Sequence, residues 1–418
     1  MPTRHLPKAN SSFINRLNKA KVLDLIRKRT TISRAQIVEE SGLSAPTVTR
    51  IVEGLIRDEG LVQEAGTRSS GGGRPPILIQ LRNDTNGVIG IDLGTTAIRG
   101  VLADLSAGVH AEIETSTPVE EGFGKVMDSV ATVVDRLLDT VPARKRRIHG
   151  VGIAVAGLVN SNSEVVEFSP DFDWKDTDIH QVLNGRVDLP VIFDNVTRVM
   201  AIGELWCGRG SEYRDFACVN VGYGIGAGIV TDGQPFGGSE GLAGEFGHIT
   251  LDKDSPIQCK CGNHGCLEAL ASGRGIALAA QRALESGRVS TLRSQCDGDL
   301  SRITAKMVSE AAGADDELAN EIFTGAAEYI GIGIATLVNL FNPRVVFIGG
   351  GVAQSGDLLF NTVRKVVAER VMPRHARTVE ILPVTHGLNA AVMGAASLIL
   401  DRVVNLELDP AVPAHAAR

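Results

Sequence analysis

Asp92-Leu93-Gly94-Thr95-Thr96-Ala97-Ile98-Arg99 lies between two β-rich runs, Val88–Leu93 and Ile98–Leu105, and its reading decides the fold. Small residues at such a turn let backbone amides approach a phosphate, and an aspartate at the strand end can hold Mg2+ through water. A second loop, Gly222-Tyr223-Gly224-Ile225-Gly226-Ala227-Gly228, opens another β-rich stretch, and a third, Gly349-Gly350-Gly351-Val352, ends a strand where an adenosine could lie. Any tight hairpin needs glycine, so each loop alone says little. Three in this order at nearly equal spacing suggest a duplicated body of the actin-like ATPase kind.

Working outward, apolar β-rich stretches alternate with helical ones from Gly87 on. The first set holds helix 123–140, strands at Gly150–Ala156 and Val191–Phe193, and helix 198–207. The second holds Phe216–Val221, Ile225–Val230, helices 267–286, 304–311 and 318–341, and Val345–Gly349. This alternation predicts an α/β body in two lobes. The expected division is 83–195 for the first lobe and 196–385 for the second, which carries a metal-binding insertion. Residues 386–418 are expected to form a C-terminal helix returning to the first lobe, followed by an Ala/Pro-rich tail.

Residues 1–82 differ in charge from the rest: they carry 14 Lys and Arg against 7 Asp and Glu, whereas the remainder carries 28 against 42. A basic head on an acidic body suggests a polyanionic partner. Phe13, Ile14, Leu17, Val22, Leu25 and Ile26 mark one amphipathic helix. A second starts after the candidate cap Ser33 and ends at Ser41-Gly42, and a third follows Ser44 and stops at Gly60. An ordinary three-helix bundle with a solvated polar face would show the same helices. The neighbouring strands, Leu61-Val62 and Ile77–Leu81, joined by a glycine-rich tip, argue instead for a winged helix-turn-helix. In that reading Arg34, Ser44, Ala45, Thr47, Val48 and Arg50 contact base edges or phosphates, and Arg74 on the Gly73-Arg74-Pro75 wing enters a minor groove. The expected partner is a double-stranded operator with an inverted repeat, bound by a homodimer or a dimer of dimers.

Apolar residues at 43% with charged residues at 22% fit a soluble globular chain. The N-terminus is polar and basic rather than a secretory signal, and no apolar run approaches the ~20 residues of a membrane span. A cytoplasmic location with no membrane partner is the expectation. Cys259, Cys261 and Cys266 crowd into eight residues, while Cys207, Cys218 and Cys296 are scattered, which is not a disulfide framework. With His248 they make one nitrogen and three thiolates, the donor set of a closed structural zinc site. One Zn2+ per chain is therefore expected, with His264 read as a solvated loop residue.

These residues together resemble the ROK family of repressors, open reading frames and kinases. The most specific matches are Gly244-Glu245-Phe246-Gly247-His248 and Cys259-Lys260-Cys261-Gly262-Asn263-His264-Gly265-Cys266-Leu267-Glu268, and the likeness covers nearly the whole chain. The head with its Gly-Gly-Arg-Pro wing looks like the repressor branch. The resemblance implies an α/β chain with an N-terminal winged helix-turn-helix followed by a two-lobed actin-like ATPase fold of the sugar kinase kind. It also implies a sugar cleft lined by Gly157, Asn195, Glu245, His248 and Glu268. His248 would give one ring nitrogen to zinc and the other to a sugar hydroxyl, coupling metal to sensing.

The chain departs from the family's kinases at one decisive place. They carry Asp immediately after the Asn of the strand-end motif, as the base that deprotonates the sugar hydroxyl. Here the stretch is Phe193-Asp194-Asn195-Val196-Thr197-Arg198, and valine accepts no proton. If the strand continued, Asp194 would stand displaced on the same face, a poor substitute. Tyr223 occupies a position that is usually small and crowds the nucleotide. Asp92, Gly94, Thr95, Gly224 and Gly226 are then a vestigial phosphate site. The expected function is a non-enzymatic, sugar-responsive repressor of carbohydrate-metabolism genes, with a sugar or sugar phosphate as effector. In the second case Arg198 would be available, unless it pairs with Glu204 or another carboxylate. The alternative is an ATP-dependent sugar kinase fused to a DNA-binding head, favoured by the retained Asp92 and the glycine loops.

Overall fold

Two serines start the helices that define the head. In the computed structural model, which describes residues 11–67, 75–140, 146–160, 165–376 and 378–405, the head opens with α1 (Ser11–Arg29), β1 (Ile32–Ser33), α2 (Arg34–Ser41) and α3 (Ala45–Arg57). Ser33 caps α2 reciprocally: its hydroxyl accepts from the Gln36 N–H, and the Gln36 amide oxygen accepts from the Ser33 N–H. Gly42 ends α2 at φ 69°, a left-handed conformation that favours glycine. Ser44 then caps α3 by accepting from the Thr47 N–H, with Pro46 in the first turn. Beside this helix-turn-helix, β2 (Val62–Thr67) and β3 (Ile77–Leu81) pair antiparallel from Val62 with Leu81 to Thr67 with Ile77, and β1 adds to β3. The base of the wing is thus formed. Arg74 lies outside the described residues.

The body begins with β4 (Asn86–Leu93), β5 (Ala97–Ala103), β6 (Val109–Ser116), α4 (Phe123–Thr140) and β7 (Arg147–Val155). A small antiparallel sheet of β8 (Leu158–Asn160), β9 (Val165–Ser169) and β10 (Trp174–Thr177) follows, then α5 (Ile179–Leu183) and β11 (Val191–Asn195). After α6 (Val196–Cys207) come β12 (Phe216–Val221), β13 (Ile225–Thr231) and β14 (Gln234–Pro235). The helices α7 (Leu267–Ala271), α8 (Gly273–Glu285), α9 (Leu292–Gln295), α10 (Ala305–Gly313) and α11 (Glu317–Phe341) precede β15 (Val345–Gly349). The chain closes with α12 (Asp357–Arg370), α13 (Pro373–Ala376), β16 (Glu380–Pro383) and α14 (Ala390–Val404).

The two large sheets follow one plan. The first runs β11-β7-β4-β5-β6 and the second β16-β15-β12-β13-β14, each with three parallel strands followed by two antiparallel ones. This is the duplication expected from the glycine loops. Between the sheets lie α6 and α14, with α14 packed on β4 and β7 and against α6. A Cβ on Gly203 of α6 would stand 2.8 Å from the Gly394 Cα of α14, so the pair packs backbone to backbone. The head's buried Val22, Leu23, Ile26 and Val48 join an apolar cluster that runs without a break to Met200, Met393 and Ile399 of this helix layer. Separate clusters fill the first lobe around Ile89, Val130 and Trp174, and the second around Phe323, Ile334 and Phe360.

Three details differ from the sequence reading. The helix expected over 267–286 is two, because Ser272 interrupts it and caps α8 by accepting from the Gly275 N–H. The sheet β8–β10 had not been expected at all. Glu317–Phe341 and Gly387–Val404 are long and apolar enough, by length and composition, to cross a membrane, which corrects the expectation that no run approaches that length. Of those windows 56% and 72% are buried inside the fold, as core helices are.

Candidate functional site

His248, Cys259, Cys261 and Cys266 bring one donor atom each to within 4.8 Å of one another. Cys261 Sγ and Cys266 Sγ are 3.8 Å apart, and Cys259 Sγ is 3.6 Å from His248 Nδ1. Tetrahedral zinc, with Zn–S about 2.3 Å and Zn–N about 2.0–2.1 Å, requires edges of about 3.8 and 3.6 Å. The donor set and its spacing therefore fit a closed structural site. Burial, then the neighbouring Cys259 and Cys261, pushes the Cys266 thiol up to about 12, and burial raises Cys259 as well. A cation entering here displaces protons. His264 is exposed and stands outside the cluster.

The cluster reaches the cleft through His248, whose Nε2 faces Glu245 Oε2 at 3.8 Å while Nδ1 faces the thiols. Glu268, on α7, accepts from the Ile225 N–H at 2.9 Å through Oε2, and its Oε1 is 3.8 Å from Cys259 Sγ. The Glu245 carboxyl is raised chiefly by burial, against the opposing pull of His248 and Arg198, with Glu268 adding to the rise. Opposite, the Asn195 side-chain N–H donates to the Gly157 carbonyl at 2.8 Å. Its oxygen accepts from the Thr197 N–H at 2.9 Å and from the Thr197 hydroxyl at 2.6 Å, which caps α6. The two groups meet at the second glycine loop, where Gly226 lies against Thr197 and Gly224 against Glu268. The five residues expected to line the sugar site are thus brought together around the second glycine loop.

Beside these groups the strand stops at Asn195 and α6 starts at Val196, so Asp194 does not continue onto the face of residue 196. Asp194 is engaged instead by Arg198 one helical turn on, with Nε donating at 3.0 Å to Oδ1 and 3.2 Å to Oδ2. The same guanidinium donates to the carbonyls of Val159, at 2.7 Å, and Gly241. Arg198 is only 4% exposed. Of the carboxylates considered from sequence, Glu204 or another, Arg198 takes another, Asp194, while Glu204 accepts from the Thr385 N–H at 2.5 Å and the Thr385 hydroxyl at 2.7 Å. Arg198 clasps the end of β11, the small sheet and the loop leading to Glu245. Nothing in its sequence surroundings pointed to that role.

In the glycine loops, several backbone amides are committed within the protein. Gly94 N–H donates to the Ala97 carbonyl at 3.1 Å, Gly222 N–H to the Gly224 carbonyl at 2.9 Å, and Ile225 N–H to Glu268. Thr95 sits in the first loop, Gly226 pairs with Asn220 in the β12–β13 ladder, and burial raises Asp92 to about 6. Tyr223 projects from the second loop under Lys260, whose Nζ lies 5.3 Å from the ring centroid and 2.7 Å from Asp171 of the first lobe. Lys260 therefore bridges the lobes from inside the cysteine knuckle, a role its place between two ligands conceals.

On the head, Ser44, Ala45 and Arg50 are exposed and Thr47 is half-buried on the N-terminal part of α3. Arg50 donates to Asn15 Oδ1 at 3.0 Å, and Arg34, at the start of α2, faces Glu64 at 3.4 Å. Val48 is fully buried in the head core. The expectation that it contacts DNA is corrected: at that position the helical period turns the side chain inward.

Comparison with known proteins adds four findings. The ROK family model matches residues 88–402. The xylose repressor of Caldicellulosiruptor bescii is 31% identical over 396 residues, covering 95% of this chain and 98% of that one. The glucokinase of Halalkalibacterium halodurans is 31% identical over 319 residues, covering 76% of this chain and 96% of the kinase. Among solved structures, a ROK family transcriptional regulator described as a homolog of the E. coli MLC protein superposes with a TM-score of 0.80 at 26% identity, covering 94% of this chain and 98% of that one.

Proposed function

Because the chain belongs to the ROK family, we propose that it is a sugar-responsive transcriptional repressor of carbohydrate-metabolism genes whose kinase-like body binds its effector without phosphorylating it. The observation that carries this reading is the corner at Val196. No carboxylate follows Asn195, and the one preceding it, Asp194, is locked by Arg198. A proton acceptor worth about 10²–10⁴-fold in rate is lost, while the hydrogen-bonding groups for vicinal hydroxyls remain. The whole-chain match to a repressor supports the same reading, since the kinase match leaves out about the length of the head.

The finer assignments follow. Residues 1–82 read DNA through Arg34, Ser44, Ala45, Thr47, Arg50 and Arg74, and two heads of a homodimer meet an inverted repeat. The lobes over 83–195 and 196–385, with the returning helix after 386, enclose a neutral sugar at Gly157, Asn195, Glu245, His248 and Glu268. A sugar phosphate is disfavoured because the Arg198 guanidinium is engaged by Asp194 and two carbonyls. One Zn2+ held by His248, Cys259, Cys261 and Cys266 orients His248 toward the cleft. Asp92, Gly94, Thr95, Gly224 and Gly226 persist as remnants of a phosphate site. The working compartment is the cytoplasm, where operator DNA is found.

The test is a gel shift with a duplex that the chain itself selects from random sequence, with and without D-xylose and D-glucose, sugars that the repressor and kinase names supply. One sugar should change the affinity. Indifference to both, with calorimetric binding of either, would contradict the reading. Halting of the shift by ATP turnover rather than sugar binding would favour the fused kinase, which the glucokinase match supports.

A further inference from the structure

We propose that α6 is a lever between the sugar cleft and the DNA-reading head, coupled to the head by Arg27 of α1 gripping Trp206. The proposal rests on the sugar-responsive reading above.

One end of α6 is the Asn195 cap, so a ligand that competes for the Asn195 amide acts directly on the first turn of the helix. The other end is Trp206, about 15 Å away at the rise of an α-helix. There the Arg27 guanidinium lies 4.2 Å over the indole ring, and its Nη1 donates to the Trp206 carbonyl at 2.7 Å. The Arg27 side chain is 14% exposed, and Asp24 holds it from behind at 2.8 Å. A cation over an aromatic face is strengthened when water is excluded, and the carbonyl of a last helical turn is an acceptor in need of a donor. The contact uses both.

The lever is stiff. Gly203 lies on Gly394, the indole N–H donates to Asp401 Oδ1 at 3.1 Å, and His386 Nε2–H donates to the Cys207 carbonyl at 3.1 Å. These tie α6 to α14 and the segment before it, so displacement at the cap moves the far end as a unit. The head side is tied as firmly: Lys21 of α1 donates to the Ser41 carbonyl at 2.7 Å, at the turn that sets α2 against α3. Lys19 of α1 pairs with Glu59 just beyond α3. A shift of α1 therefore carries the turn before Ser44, and with it the residues that face DNA. Packed helices with two discrete arrangements are a recognised carrier of coupling, typically about 5–150-fold in affinity.

The test uses the full chain and a duplex selected by it from random sequence. Operator affinity is measured for wild type, Asn195→Ala, Arg27→Gln and the double variant. Asn195→Ala should change affinity by about fivefold or more in the wild-type background and by less than about twofold alongside Arg27→Gln. Additive effects would overturn the lever. In parallel, D-xylose or D-glucose should shift the operator affinity of wild type but not of Arg27→Gln, whose calorimetric sugar affinity stays unchanged. Sugar acting equally on both proteins overturns the lever and leaves the sugar-responsive reading intact. A non-additive cycle with no effect of sugar on wild type does the reverse. If Arg27→Gln does not fold, Trp206→Leu, which removes the aromatic face under the guanidinium, takes its place in both arms, and Arg27→Lys, which keeps the cation, should recover part of the coupling.

Discussion

The cysteine knuckle keeps a complete donor set at metal-binding distances, whereas beside Val196 the one neighbouring carboxylate in the chain, Asp194, is held in an internal ion pair. The difference separates what ligand binding needs from what chemistry needs. Binding needs fixed hydrogen-bonding groups, and His248 joins the knuckle to Glu245, which on the proposed function serves that purpose. Catalysis needs an ionised acceptor left open to the substrate. In the proposed function, a carboxylate answered by a buried guanidinium, as Asp194 is, holds the fold together rather than abstracting a proton. A protein that reports a sugar without consuming it has reason to keep the first region and rewire the second.

Breaking the knuckle should have the largest effect. Cys259→Ser or Cys266→Ser should lose the metal, measured as zinc per chain, and weaken calorimetric sugar binding by at least about 10–100-fold, the range for disturbed metal-site support. Unchanged sugar affinity in a metal-free variant would detach the two regions from each other. Breaking the ion pair comes next. Arg198→Ala strands Asp194 in a partly buried site and should lower unfolding free energy by about 3–5 kcal/mol in denaturant melts, with Asp194→Asn on top recovering part of it. A loss under about 1 kcal/mol would mean the corner is not the clasp described.

Two smaller effects lie outside the cleft and sharpen the contrast. His149 donates to Asn86, whose side chain in turn donates to the carbonyls of Gly60 and Arg82 where head meets body. Burial lowers His149 from 6.5 to about 4, with Arg147 adding to the fall. The unfolded chain thus binds a proton that the folded one refuses between those values. Its contribution, on the order of 3 kcal/mol, is present above pH 6.5 and is lost as pH falls toward 4. His149→Gln should flatten that slope in melts taken across the window, and an unaltered slope would assign it elsewhere. Smallest is Ser44→Ala, which removes the α3 cap and should cost about 1 kcal/mol in stability.

The sequence made the repeated parts legible and concealed the long-range ones. Glycine spacing foretold the duplicated sheets, Ser33, Gly42 and Ser44 foretold the helix-turn-helix, and four sulfur and nitrogen donors foretold the knuckle, because each signal is local. The break between β11 and α6 falls at Asn195, inside a run that reads equally well as continuing strand, so the carboxylate partner foreseen for Arg198 could not be fixed as Asp194, one helical turn back. Val48 looked like a reading residue until the helical period placed it in the core. Lys260 with Asp171, and Arg27 with Trp206, join residues far apart in the chain. No local pattern encodes such contacts; only the packing of lobes and head brings them together.

The most direct test of the central claim is ADP release by the wild-type chain, followed with ATP and the sugar that calorimetry shows to be bound, beside the same assay on Val196→Asp. The account predicts saturable sugar binding with no sugar-dependent turnover in the wild type, and a rise in turnover in Val196→Asp where ATP binding is also measured. Efficient phosphorylation of the bound sugar by the wild-type chain would contradict it.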